Sequence, residues 1–224
     1  MENSREAWDG IYQEPNAEDE WYCPFDQLVQ VLNIYMDPEN KKHRILELGV
    51  GLSSVTRCLW RAGWTNITAV DFSPAAIHAA KDQHRDLQGI VHECLDCTDM
   101  SRFPEHSFEY IIEKGMLDSL FCSLGGVREV DKAVMEISRL LKQGGFFFSV
   151  SSASRQSRLP HLVNPKFNWS VESISIPYGP GFYAYVCKKR NFKEEWFFPS
   201  QDAQQIAIEA EKKYVLPPRF HSGK

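Results

Sequence analysis

The sequence predicts an α/β fold, a doubly wound sheet of seven strands that is mostly parallel and ends in an antiparallel hairpin. Five short apolar stretches alternate with segments of helical periodicity over the first 150 residues, which is the pattern of a parallel sheet. After residue 168 two stretches instead alternate apolar and polar residues around "PYGPG", as hairpin strands do. The 224 residues are 43% hydrophobic and 25% charged, which is the composition of a folded protein.

The strands are predicted from apolar runs that end at a glycine or an acid. They lie at 43–48, 67–70, 89–95, 108–113 and 146–150, and the hairpin strands lie at 169–176 and 182–186. Helices are predicted from apolar residues three and four apart, at 25–36, 55–62, 74–84 and 127–141, with a further short helix at 203–213. Gly63 is expected to end the second helix, and Gly144 with Gly145 the fourth.

Composition and charge indicate which partners and which cellular compartment the protein is expected to have. The net charge of −5 argues against nucleic acid as the main partner. No apolar run reaches the 18 or so residues of a membrane span, and the acidic N-terminus lacks a signal core, so we expect a cytoplasmic protein with no membrane contact. Cys94 and Cys97 form a lone CxxC without a second ligand pair, and no metal site is predicted.

Unusual residues follow the predicted strands, at the edge where open parallel sheets bind ligands. Gly49 and Gly51 end the first strand, Asp71 follows Gly51 by twenty residues, and Asp96 follows the third strand. An acid at the position of Asp71 can accept hydrogen bonds from both ribose hydroxyls, and Asp96 is placed for the adenine amino group. Ser54 replaces the third glycine that a pyrophosphate needs, so the pattern indicates adenosine without phosphate, as in S-adenosylmethionine.

Two other readings of the strand-end residues stay open at this point. Asp71 and Asp96 are also the kind of residue that caps a helix after a strand. A nicotinamide oxidoreductase would share the sheet, but the missing third glycine disfavours that class.

The segment "ILELGVGLSSVTRCLWRAGWTNITAVDFSPAAI" resembles the first two motifs of class I S-adenosylmethionine-dependent methyltransferases, which are Rossmann-like. "AWDGIY", "EKGMLDSL" and "GGFFFSVSSASRQSRLPHL" are similar to the small eukaryotic methyltransferase-like group, nearest to the lysine methyltransferases of translation elongation factor 1 alpha. The group favours "EKGTLDAL", from which this chain differs at Met116 and Ser119.

The resemblance implies roles for the residues around the end of the fourth strand. Glu113 and Lys114 are placed beside the methionine part of the cofactor, where Gly115 lets the backbone turn closely. Glu113 is expected to balance positive charge, and Asp118 to face the substrate entrance; both are candidate catalytic residues. A helix N-terminal acid is the alternative interpretation of Asp118.

The resemblance also implies further cofactor contacts and a division of the chain. Residues 1–24 are expected to form a lid over the cofactor, with 25–150 as the cofactor-binding half and 151–224 as the substrate-side half of one domain, 1–224. The additional predicted contacts are Trp8, Tyr12 and Trp21 in the lid, together with Glu47, Phe72 and Cys97 at the strand ends.

Together these features predict a protein-lysine N-methyltransferase, acting as a monomer on elongation factor 1 alpha. A small-molecule methyltransferase on the same fold is the first alternative, and a non-catalytic cofactor-binding or interaction module is the second. A basic cluster after the fifth strand is expected to attract an acidic protein surface. Its members are Arg155, Arg158, His161 and Lys166.

Overall fold

The computed structural model describes residues 4–14, 20–123, 125–176 and 181–191. Its seven strands form one sheet. They are β1 Ile45–Leu48, β2 Ile67–Asp71, β3 Val91–Cys94, β4 Phe108–Lys114, β5 Leu141–Ser151, β6 Trp169–Ile176 and β7 Phe182–Lys189. The helices are α1 Arg5–Gln13, α2 Phe25–Tyr35, α3 Val55–Arg61, α4 Pro74–Gln83, α5 Met116–Phe121, α6 Gly126–Leu140 and α7 Arg155–Leu162.

The strand order is β3-β2-β1-β4-β5-β7-β6. The first five strands pair in parallel, and β7 runs antiparallel to both of its neighbours. This arrangement confirms the predicted fold class. The order reverses between β1 and β4, which is the switch point where an open sheet has its ligand crevice.

Both faces of the central strands are covered by helices, which is why these strands read as continuous apolar runs. Successive residues of one strand point to opposite faces. Ile111 and Phe147 therefore pack in the cluster that contains α6, while Ile112 and Phe148 pack in the cluster that contains α2 and α3. Because both faces are buried, the positions of the strand ends are fixed. The carboxyl ends of these strands form the edge of the sheet that carries the candidate site.

Several predicted boundaries differ from the structure, and two of the differences concern β3 and the end of α6. The third strand spans only Val91–Cys94, shorter than 89–95. The expectation that Gly144 and Gly145 end the fourth helix is wrong, because α6 already ends at Leu140 and Leu141 opens β5 opposite Phe108. Gly144 has a φ of 75°, and the register of β4 against β5 shifts in this region, so the glycines serve an irregularity within the strand pair.

Three helices lie where the sequence predicted none explicitly: α1 in the expected lid, α5 after β4, and α7 after β5. The turn residues 177–180 of the predicted hairpin and the predicted helix at 203–213 lie outside the described residues. Within the described ranges, no helix combines the length and the apolar character that crossing a bilayer requires.

Candidate active site

A cavity of about 450 Å³ lies over the carboxyl ends of β1, β2 and β4, beneath α1. Ten of the twelve predicted cofactor-binding residues line it. They are Trp8, Tyr12, Trp21, Gly49, Gly51, Asp71, Phe72, Asp96, Cys97 and Lys114. The other two, Glu47 and Glu113, are buried beneath the cavity without lining it. The structure therefore brings most of the predicted set together at one sheet edge.

The loop after β1 requires glycine at two positions. Gly49 has a φ of 68° and Gly51 a φ of 46°, in the left-handed region that side chains rarely adopt. A Cβ at Gly49 would lie 2.8 Å from the Cβ of Met116, and one at Gly51 would lie 3.0 Å from the Tyr12 hydroxyl. The backbone can therefore come close to a ligand in this loop, and no larger residue fits without displacement.

Asp71 is fixed by backbone donors on both of its oxygens. Gly51 N–H donates to Oδ2 and Ser73 N–H donates to Oδ1, each at 3.0 Å. Burial raises the pKa of Asp71 to about 6, against the opposing effect of these backbone hydrogen bonds. Each carboxylate oxygen can accept a second hydrogen bond. Because Asp71 lines the cavity, it can accept from two neighbouring hydroxyls of a ligand.

Asp96 follows β3 at the other end of the cavity. The backbone N–H and the hydroxyl of Thr98 both donate to its Oδ1 at 2.8 Å, which fixes the carboxylate next to Cys97. Sequence reasoning missed Thr98. An Asp followed two residues later by Thr is the local signal, since such residues form side-chain-to-backbone turns.

Helix α1, in the segment predicted to be a lid, is held to the N-terminus of α4 by Asp9. The hydroxyl of Ser73 and the backbone N–H of Ala75, the latter at 3.2 Å, both donate to Asp9 Oδ1. This bond places Trp8 and Tyr12 over the cavity, with ring centroids 5.6 Å apart in a stacked arrangement. Sequence reasoning missed Asp9, although the acid stands inside the quoted "AWDGIY" motif.

A second lid contact joins Lys114 to Glu20. Lys114 Nζ donates to the Glu20 carboxylate and, at 2.8 Å, to the Trp21 carbonyl. The hydroxyl and the backbone N–H of Ser54 donate to the same carboxylate. The Lys114 ammonium is thus neutralised by the protein, and Glu20 is another residue that sequence reasoning missed.

The two buried glutamates support the cavity floor. Glu113 accepts the backbone N–H of Leu117 at 3.2 Å and the Ser149 hydroxyl, and so it caps the start of α5. Glu47 accepts the hydroxyl of Thr56 on α3. Burial is the main cause that raises the pKa of each carboxyl to about 7. These contacts stabilise the elements around the cavity.

Asp118 is the point where four segments meet. The Ser151 hydroxyl donates to its Oδ1 at 2.6 Å, and the Arg158 guanidinium pairs with the same oxygen. Tyr22 hydroxyl and Ser152 N–H donate to Oδ2, each at 2.9 Å. These donors come from the lid, the end of β5 and α7. Asp118 therefore joins the Tyr22 segment to β5 and α7, which its place at the start of a helix does not reveal.

The expected basic cluster divides between surface and interior. Arg155 and Lys166 are exposed, but Arg158 is only 2% exposed and His161 only 5%. The expectation of a solvent-facing patch is wrong for Arg158 and His161, because α7 turns both side chains inward. His161 Nδ1 lies 3.1 Å from Asp131 Oδ1.

Comparison with known proteins identifies relatives that cover most of the chain. A family model described as a methyltransferase domain matches residues 46–149. EEF1A lysine methyltransferase 4 of Mus musculus is 31% identical over 192 residues, which cover 81% of this chain and 74% of that protein. The Bos taurus protein of the same name is 30% identical over the same shares.

Two further similarities have a lower sequence identity. The eEF1A lysine and N-terminal methyltransferase of Mus musculus is 28% identical over 67% of this chain, which corresponds to 22% of that longer protein. Among solved structures, the N-methyltransferase NodS from Bradyrhizobium japonicum WM9, in complex with S-adenosyl-L-homocysteine, matches with a TM-score of 0.66. The match covers 85% of this chain and 100% of that chain at 14% identity, and at this identity it shows the fold alone.

Proposed function

Because the chain belongs to the methyltransferase family of EEF1A lysine methyltransferase 4, we propose that it methylates a lysine of translation elongation factor 1 alpha with S-adenosylmethionine. The observation that carries the proposal is the identity of 31% over 81% of the chain, combined with a cavity at the switch point of the sheet. The alternative, a small-molecule methyltransferase, would have the same cavity but a different methyl acceptor.

The residues of the cavity fit an adenosine that carries no phosphate. Asp71 has free acceptor capacity for the two ribose hydroxyls, and Asp96 has an oxygen, Oδ2, to which no described protein group donates. Gly49 and Gly51 leave room for close approach of the ligand. The loop has no third glycine to cradle a pyrophosphate, since Ser54 stands in its place.

The lid and the strand ends act by positioning and by excluding water. The bound cofactor would supply a methyl group on a sulfonium, which a neutral amine could take by in-line attack on the methyl carbon, with the thioether of S-adenosylhomocysteine as the leaving group. Trp8, Tyr12 and Trp21 cover the cavity and leave little room for solvent beside the reacting groups. Holding the two partners in one geometry is the main contribution that such an enzyme makes.

The acceptor lysine must lose its proton before it reacts. A free lysine has a pKa of about 10.4, so only about one in a thousand is neutral near pH 7, and full restoration is worth about 4 kcal/mol. Desolvation at the protein surface, together with nearby positive charge, lowers that pKa. Glu113 and Asp118 are engaged with donors of the protein, so we assign them to supporting the site and not to taking the proton.

We further propose that the protein acts as a cytoplasmic monomer, without nucleic acid or membrane as partners. The net charge of −5 and the eEF1A substrate in the names of its relatives support this. The chain is proposed to form one domain, 1–224, with lid 1–24, cofactor-binding half 25–150 and substrate-side half 151–224.

The test is a transfer assay with purified components. Wild-type protein is incubated with methyl-labelled S-adenosylmethionine and elongation factor 1 alpha from a bacterial host, and peptide mass spectrometry locates the label. We expect label on a lysine with wild type, and at least tenfold less with Asp71→Ala at limiting cofactor. Label on free amines with none on the protein would establish the small-molecule alternative and overturn the proposal.

A further inference from the structure

Tyr22 has a backbone conformation that its side chain disfavours. Its φ is 67°, and among the described residues only His106 and Asn168 are other non-glycine residues with positive φ. A bulky residue in the left-handed region is a genuine outlier, whose cost surrounding contacts must offset. Such outliers cluster at functional sites, so the contacts that hold Tyr22 are informative.

Several contacts hold the Tyr22 side chain, including the Trp21 ring, whose centroid is 6.1 Å away in a tilted arrangement. Its hydroxyl donates to Asp118 Oδ2 at 2.9 Å, and its ring stacks on Phe182 of β7 with centroids 5.0 Å apart at an interplanar angle of 26°. Its ring edge also lies against Gly115, where an added Cβ would be 3.1 Å from Tyr22 Cε2. The lid, the turn after β4 and the hairpin thus meet at one aromatic ring.

Tyr22 and its neighbour Trp21 contact the same glycine but have different surroundings. Trp21 lines the cavity and would lie 3.4 Å from a Cβ at Gly115, whereas Tyr22 is not among the lining residues. The left-handed turn at Tyr22 separates the two rings in this way. Gly115 therefore has two sets of neighbours. The cofactor cavity and Trp21 lie on one side of it, and the half-buried Tyr22 ring lies on the other.

We propose that Tyr22 is a positioning residue, whose ring is the wall along which the target lysine reaches the cavity at Gly115. This inference rests on the proposed function. Gly115 follows the strand whose end borders the proposed methionine part of the cofactor, and because it has no Cβ of its own, the Tyr22 and Trp21 rings pack directly against its backbone. An aromatic face suits the four-carbon stem of lysine and attracts its ammonium before the proton leaves.

Asp118 acts through Tyr22 in this arrangement. The hydrogen bonds from Ser151 and Ser152 anchor Asp118 to the end of β5. The hydrogen bond from the Tyr22 phenol then fixes the position of the ring relative to Asp118. Burial, followed by the effect of Asp118, raises the pKa of the Tyr22 phenol, so the hydroxyl remains a donor. Displacing the ring by about 1 Å would misalign the amine, and such shifts cost up to about 100-fold in rate.

The test compares three substitutions at position 22. Tyr22→Ala removes the ring, Tyr22→Gly removes it and also relieves the strained φ, and Tyr22→Phe keeps the ring and its stack on Phe182. For Ala and Gly we expect kcat/KM on elongation factor 1 alpha to fall about 10- to 100-fold. The Kd of S-adenosylhomocysteine, measured by calorimetry, should change less than about threefold. Tyr22→Phe should restore activity to within about threefold of wild type.

Tyr35→Ala is the matched control, because Tyr35 also donates its hydroxyl to a carboxylate, at 2.8 Å from Glu172, and does not line the cavity. It should leave both parameters unchanged. Activity of Tyr22→Gly equal to wild type, or a loss of cofactor affinity that matches its loss of activity, would overturn the inference alone. A wild-type protein that leaves the elongation factor unlabelled would overturn the proposed function and the inference with it.

Discussion

The two ends of the candidate site, which we propose bind the adenosine and the acceptor, are built in different ways. At the adenosine end, backbone groups hold the functional side chain: Asp71 accepts N–H groups from Gly51 and Ser73, which neighbour it in the loops after β1 and β2. At the acceptor end, side chains from the lid segment, β5 and α7 converge on Asp118 of α5, and one of them, Arg158, is a buried cation.

This difference predicts different consequences of substitution. At the adenosine end the sheet already positions the backbone groups that bind Asp71, so changing this side chain should alter ligand affinity more than stability. The acceptor end depends on a buried charge pair and its hydrogen bonds, and removing one partner leaves the other without compensation. Stability and positioning should therefore be coupled at the acceptor end and separate at the adenosine end.

The largest effect is expected from Asp118→Ala. It leaves the Arg158 guanidinium buried and unpaired, and breaking such a pair costs about 3–5 kcal/mol in the free energy of unfolding. Urea denaturation measures it. Asp86→Ala is the matched control, because Asp86 pairs with Arg57 at the surface, with its side chain 63% exposed, and its removal should change the stability far less. Equal losses in the two variants would contradict the coupling.

The pH dependence of stability should reveal Glu113. Burial raises its pKa from an ordinary value of about 4.3 to about 7, so the folded protein binds this proton more tightly than the unfolded chain. The stability from this group is full below the ordinary pKa and is lost as pH rises through about 7, an effect of about 3 kcal/mol.

Glu113→Gln should remove that dependence. Relative to wild type, the variant should gain stability between pH 5 and pH 8, as measured by urea denaturation at each pH. Parallel stability curves for the two proteins would show that Glu113 is charged in the fold throughout this range. Its role as a neutral, buried cap of α5 would then be wrong.

Asp71→Ala should act on ligand affinity. It removes two hydrogen bonds from ribose hydroxyls to a carboxylate, each worth about 1.5–3 kcal/mol, so calorimetry should show at least about a tenfold rise in the Kd of S-adenosylmethionine. Asp99→Ala, which changes an exposed acid outside the cavity, should bind normally. If Asp71→Ala bound the cofactor as tightly as wild type, the ribose assignment would be lost.

The smallest effect is expected from Asp9→Ala in the lid. It removes the cap that Asp9 provides to α4 and loosens α1 over the cavity, at a cost of about 0.5–2 kcal/mol. Cofactor affinity should fall several-fold, with the lid otherwise intact. Glu6→Ala changes an exposed acid on the same helix and is the control. Identical affinities for the two variants would show that Asp9 does not hold the lid.

The adenosine end could be predicted because its signals are local in sequence. A glycine pair after one strand and an acid after the next are fixed relative to each other by parallel pairing, and the structure brings Gly51 and Asp71 into hydrogen-bond contact. The sheet itself follows from apolar runs and helical spacing. Gly144 misled the prediction because a glycine after a helix and a glycine within an irregular strand look alike in sequence.

The acceptor end could not be predicted from local signals. Tyr22 lies 96 residues from Asp118, and Arg158 lies 40 residues from it, so only the folded chain shows that they meet. Charge in the sequence suggested that Arg158 and His161 were surface groups, because most arginines are solvated. The missed lid acids, Asp9 and Glu20, have the same cause: their partners Ser73 and Lys114 are distant in the chain.

The most direct test of the two-end account is calorimetric titration of Asp118→Asn with S-adenosylmethionine, alongside its rate of methyl transfer to elongation factor 1 alpha. The asparagine keeps the shape of the side chain but removes the charge that holds Arg158 and orients Tyr22. The account predicts a cofactor Kd within about threefold of wild type and a rate at least about tenfold lower. A Kd that rises in parallel with the loss of rate would contradict it.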